Sequence, residues 1–225
     1  LVQQPEQNLS PEEVWRLLPD VSTDFRANGF DKLCAELLAA LNDFLAMQAY
    51  RAHTVTVASH QLEAYVDFHL AEWVPGVYEG LIERLGPELE RDTAGIYAHL
   101  SLLHAYGQHL FKTDRMPSID HLLHVDQKLN EFFFARKLEL AAAVDAYNMT
   151  YKSTVELPYL ELLKEVLDKG IEGYTPLVQA QALSWLMTRY RDQKHYFALK
   201  SLLWNQEKRF PIEDTKSLYW AALNF

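Results

Sequence analysis

The chain has 225 residues, 49% of them hydrophobic and 23% charged, which suits one large globular domain or two small ones and excludes a disordered chain. Its formal net charge is −10, and residues 1–100 carry all of it, with 16 Asp and Glu against 6 Lys and Arg, while residues 101–225 hold 15 of each sign. An acidic surface repels phosphate backbones and anionic headgroups, so neither nucleic acid nor insertion into a membrane is expected.

Cys34 is the only cysteine, which excludes an internal disulfide. Its neighbours Leu33, Ala35, Leu37 and Leu38 predict a small buried apolar side chain rather than a reactive thiol. A reducing, cytoplasmic setting is the expectation. No stretch approaches the ~18 uncharged apolar residues of a membrane helix. The richest run, from Phe132-Phe133-Phe134, is broken at once by Arg136, Lys137 and Glu139. The chain opens on Leu1 rather than Met, so the natural protein is expected to extend beyond it.

Apolar residues recur three and four apart almost everywhere, which predicts helices throughout. Ser10-Pro11-Glu12-Glu13 is a helix start, with Ser10 and Glu13 placed to cap each other's amides. A longer helix is expected near Asp31, with Leu33, Leu37, Leu41 and Leu45 on one stripe. His53–Val57 has β character but is too short to outweigh its surroundings. Helical pattern returns over about 58–73, Pro75-Gly76 interrupts it, and Gly86-Pro87 ends the next short helix. Asp92 or Thr93 opens a helix to about Phe111, and Ser118 caps a long one reaching about Tyr147. The apolar surface of that long helix (Leu122, Leu129, Phe133, Leu138, Leu140, Val144) is wide enough to meet more than one neighbour.

The C-terminal region is the most regular. Helix starts fall at Pro158, Pro176, Lys194 and Pro211, two helices per roughly 35 residues, which is the period of tetratricopeptide-type hairpin repeats. Their Trp-x-x-Leu-Gly-x-x-Tyr consensus is absent. The fold expected is therefore all-α, with antiparallel hairpins stacked as a right-handed array or as an irregular bundle. Residues 1–225 read as one helical domain, with an acidic segment over 1–115 and a more regular, hairpin-forming segment over 116–225.

The same region holds Leu129, Phe133, Lys137-Leu138-x-Leu140-Ala141 and Asn148, then His195-Tyr196-x-x-Leu199-Lys200-x-Leu202-Leu203, Phe210-Pro211, Leu218-Tyr219 and Asn224. In these residues, over roughly 129–225, the chain resembles a group of uncharacterised helical proteins of Bacteroidetes. The resemblance implies an all-helical fold, and it carries over no activity and no site residue.

Patterns for bond-making chemistry are sparse. His121 and His124 share a helix face, and Asp120 lies four before His124, so these three are the metal candidates, short of the ligands that a complete site needs. His99, His104 and His109 are five apart and diverge around a helix. Neither Glu-x-x-His nor His-Glu-x-x-His occurs, and no phosphate-cradling glycine loop is present. The carboxylate run Glu83, Glu88, Glu90 and Asp92, with Arg84 and Arg91, reads as a solvated face.

Aromatic residues point elsewhere. Three consecutive Phe span too much of a helix to share one stripe, so Phe132 and Phe134 are candidate partner contacts. The final helix, Leu218 to Phe225, is apolar on every side except Asn224. Such a helix needs cover on both faces, from a continuing chain, an earlier segment, a second copy or a partner. Trp220 and Phe225 are thus candidate contacts too. The functional expectation is a helical-repeat interaction or scaffold module that binds a protein or peptide, or self-associates through its last helix, with no cofactor. The alternative is an enzyme with a metal-assisted site around His121 and His124.

Overall fold

A computed structural model describes residues 10–17 and 27–223. Among these residues there are ten α-helices, two single 3₁₀ turns and no strand. The all-α expectation holds. Contacts divide the chain into two compact units, Leu1–His53 and Thr54–Phe225.

In the first unit, α1 (Pro11–Leu17) starts at the Ser10 capping box. The Ser10 amide donates to Glu13 Oε2 at 2.7 Å, and the Glu13 amide donates back to Ser10 Oγ at 3.3 Å. Helix α2 (Ala27–Ala52) is 26 residues long and buries none of them. Trp15 of α1 meets Phe30 of α2 edge-on at 6.3 Å. Cys34 is exposed, which corrects the expectation of a buried thiol. Its leucine neighbours share one side of α2, but no residue of α2 is buried, so local apolarity did not translate into burial.

In the second unit, α3 (Thr54–Asp67) takes in Thr54–Val57 of the β-flavoured run, because a short branched run is outweighed by the helical pattern after it. Helices α4 (Val74–Leu85) and α5 (Thr93–Lys112) complete a first core with α3 around Leu62, Val66, Leu81, Leu85, Leu89 and Leu102. The Asp92 side chain accepts from the Gly95 amide at 2.7 Å and so fixes the start of α5. Gly95 is required there, because a Cβ would run into the Glu88 carbonyl of the preceding 3₁₀ turn, Glu88–Glu90. Helix α6 (Ile119–Tyr151) starts at Ser118, whose hydroxyl accepts from the His121 amide at 3.1 Å, and runs one turn past the expected end.

The regular C-terminal region forms α7 (Leu160–Asp168), α8 (Pro176–Tyr190), α9 (Gln193–Gln206) and α10 (Ile212–Leu223). Gly170, at φ 139°, supplies the left-handed turn after α7. Helix α8 is the hub, packing on α6, α9 and α10. It buries nine of its fifteen residues, Trp185, Leu186 and Met187 among them. This second core is joined to the first through α5, which contributes Ile96 to one and Ala98, Leu102 and Ala105 to the other. Residue 115 therefore falls between α5 and α6, which pack together within one unit.

Candidate functional site

Helix α6 presents His121, His124, Lys128 and Glu131 at spacings of three, four and three, so they line one face. That face meets α5. The His124 ring stands edge-on to His99 of α5, with centroids 5.2 Å apart. His121 lies against Gly107, where a Cβ would sit 3.1 Å from Nε2, and against the Tyr106 ring at 5.8 Å. Tyr106 in turn stacks on Tyr78 of α4 at 4.4 Å. His121 and His124 thus turn to different neighbours, and Asp120 points into solvent as an exposed residue. Among the described residues, no three His, Cys, Asp or Glu side chains gather closely enough to hold a metal ion.

The cation at this interface is the protein's own. Lys128 Nζ donates to Glu131 Oε2 at 3.0 Å and to Glu90 Oε1 at 3.2 Å. Lys128 is 4% exposed and Glu131 fully buried, and Gln127 donates to the second Glu131 oxygen at 3.1 Å. Two charges out of water are tolerated only when paired and hydrogen-bonded in this way. Glu90 also faces Arg209 at 4.0 Å across a pocket of about 280 Å³ lined by Glu88, Arg91 and Lys208. Three cations (Arg91, Lys208, Arg209) and two carboxylates (Glu88, Glu90) line that pocket.

Burial sets the protonation of the row. His99 is held neutral down to about 4, first by burial and then by the Lys128 and His124 charges. Neither of its ring nitrogens has a hydrogen-bond partner among the described residues. Burial also lowers His121, His124 and His109, with Lys128 adding to the effect at His124. Glu131 is shifted upward by burial, against the opposing pull of Lys128. The His99–His124 ring contact joins α5 to α6, and Lys128 joins α6 to Glu90 of the preceding 3₁₀ turn.

The aromatic candidates separate. Phe134 is buried, with its ring edge-on to Tyr174 at 5.2 Å, so it is core and not a partner contact. The reason is rotation: it follows Glu131 and precedes Leu138 on the inner side of α6, while Phe133 takes the exposed position at 49%. Phe132 is half-buried, beside Tyr97 at 5.2 Å and under the Arg136 guanidinium at 6.0 Å. Trp220 is exposed on α10, a helix in which Leu218 alone is buried. Phe225 lies outside the described residues.

Two apolar surfaces named from the sequence are open, though neither was read there as a partner contact. Leu122, Leu129, Phe133, Leu140 and Tyr147, each about half exposed, run along the outer side of α6. On α2, Leu37, Leu38, Leu41, Phe44, Leu45 and Met47 are all 48–68% exposed. The signal was present as a leucine stripe, but a stripe reports amphipathicity and does not say whether the chain covers it. Among the described residues no helix is long and apolar enough to cross a membrane. Compared with known proteins, the chain matches no family model, and neither a curated protein nor a solved structure is significantly similar to it.

Proposed function

We propose that this chain is a helical interaction or scaffold module that works through apolar helix faces kept open for a protein partner. The observation that carries the reading is α2, a 26-residue helix without a buried residue, on which six large apolar side chains stand about half exposed or more. Contiguous apolar surface of this kind is rare on monomeric proteins without a binding role. In the second unit the buried Lys128 is taken up by Glu131 and Glu90, and His124 by its ring contact with His99, which supports the same reading.

The test separates a docking face from hidden core. Leu37→Ser, Leu41→Ser and Phe44→Ser are combined in one variant, and thermal unfolding is followed by circular dichroism at the lowest practical protein concentration. Solvated positions change stability by no more than about 0.5 kcal/mol each, so the melting temperature is expected to stay within a few degrees of wild type. Core positions would cost about 2–5 kcal/mol each. A loss of that size would mean that the face is interior, and the interaction reading would fail.

A further inference from the structure

Three cations converge on the pocket beside Glu90 in the Thr54–Phe225 unit. Arg91 follows the 3₁₀ turn Glu88–Glu90, while Lys208 and Arg209 belong to a second such turn, Glu207–Arg209, after α9. A buried apolar residue pins each turn, Leu89 within the first and Phe210 directly after the second, so the two cores fix the backbone that carries the cations. Pro176, the first residue of α8, forms part of the wall. We propose that this pocket binds a phosphate group, either free or as the monoester of a small molecule. The proposal goes beyond the interaction reading and does not depend on α2.

Charge is the first argument. The chain carries −10 overall, yet here Arg91, Lys208 and Arg209 outnumber Glu88 and Glu90. Both carboxylates are engaged by other groups. Glu88 Oε2 accepts from the Thr54 hydroxyl at 3.1 Å, and Glu90 Oε1 accepts from the buried Lys128 at 3.2 Å. Among the described residues Arg91 and Lys208 form no ion pair, and Arg209 has only its 4.0 Å contact with Glu90. Two guanidinium forks and one ammonium around a concave site match an anion with several acceptor oxygens.

The start of α8 is the second. A helix N-terminus carries partial positive charge and unpaired amides. Ser10, Asp92 and Ser118 cap their helices, but the Thr175 side chain bonds no amide of α8. Its hydroxyl is buried and has no hydrogen-bond partner among the described residues. A phosphate beside Pro176 lies at that uncapped end.

Size is the third. The volume, about 280 Å³, stands at the lower end of the range for small-molecule sites, roughly 300–1,000 Å³. It admits a small phosphate ester, whereas a nucleic-acid strand needs a longer basic track than three residues supply.

The experiment titrates the full chain with inorganic phosphate and, separately, with glycerol 3-phosphate, at an ionic strength held constant with potassium chloride. Binding is read by calorimetry and by the melting temperature. A single saturable site is expected, with a melting temperature that climbs with the logarithm of anion concentration. The tighter of the two anions tells free phosphate from a monoester. Arg91→Gln combined with Lys208→Gln, both at exposed positions, is expected to keep the far-ultraviolet spectrum and to weaken binding on the order of tenfold. Glu88→Gln removes a competing negative charge and is expected to tighten binding, an effect that a purely structural carboxylate would not give. Four results overturn the proposal: no saturable binding of either anion at millimolar concentration, an effect equalled by chloride alone, an affinity unchanged in the double variant, or weaker binding in Glu88→Gln, the sign of a cationic ligand.

Discussion

The interior of the Thr54–Phe225 unit and the surface of α2 reverse the usual distribution of side chains. Inside, α5 and α6 enclose His99, Lys128 and Glu131, three polar groups with almost no exposure. Outside, α2 holds Leu37, Leu38, Leu41 and Leu45 in water. Residue type alone decides neither placement. The buried charges are tolerated because each finds a partner of opposite sign at hydrogen-bonding distance, whereas the α2 leucines keep about half or more of their surface exposed. Burial is a property of neighbours.

The sharpest way to break that comparison is to remove one partner of the interior pair. Lys128→Met leaves the fully buried Glu131 without its ammonium, and a loss of about 3–5 kcal/mol in unfolding free energy is expected from denaturant titration. The double variant Lys128→Met with Glu131→Leu removes both charges and is expected to recover most of that loss. If the single and double variants are equally damaged, packing and not charge pairing holds the interface.

Two adjacent phenylalanines test the same contrast on one helix. Phe134→Ala, from core, is expected to cost about 3–5 kcal/mol by the same titration, whereas Phe133→Ala, half in water, should cost less than about 1 kcal/mol. Equal losses would show that the outer side of α6 is covered.

The histidine row gives the comparison a pH dependence. In the unfolded chain a histidine takes up its proton near 6.5, whereas His99 in the fold stays neutral down to about 4. Between those values the unfolded state binds more protons, so stability falls as pH falls, by up to about 3 kcal/mol from His99 alone. His109, His121 and His124, also lowered, act in the same direction. Glu131 and Asp214, both raised by burial, act in the opposite direction in the carboxylate range. The difference between wild type and His99→Leu therefore isolates the effect, and the variant is expected to lose less stability between pH 6.5 and 4. A parallel pair of pH curves would show that His99 is solvated. The smallest effect expected is that of the α2 serine substitutions, near zero in the monomer.

The sequence by itself determined the helices and most of their ends. Ser10, Asp92 and Ser118 cap where local chemistry requires, because a cap bonds amides within three residues of itself and needs no tertiary partner. The starts of α7 to α10 were legible within two residues for the same reason: proline and polar caps act locally. What was not legible was which face each helix would hide. His124 turned toward His99, a residue twenty-five positions away, and Phe134 turned inward while Phe133 did not, because α5 and α8 lie on that side. A periodic stripe fixes the side chains that share a face, since that follows from 3.6 residues per turn. Only the tertiary structure decided whether the face is covered, because long-range packing, not the helix, brings the opposing surface.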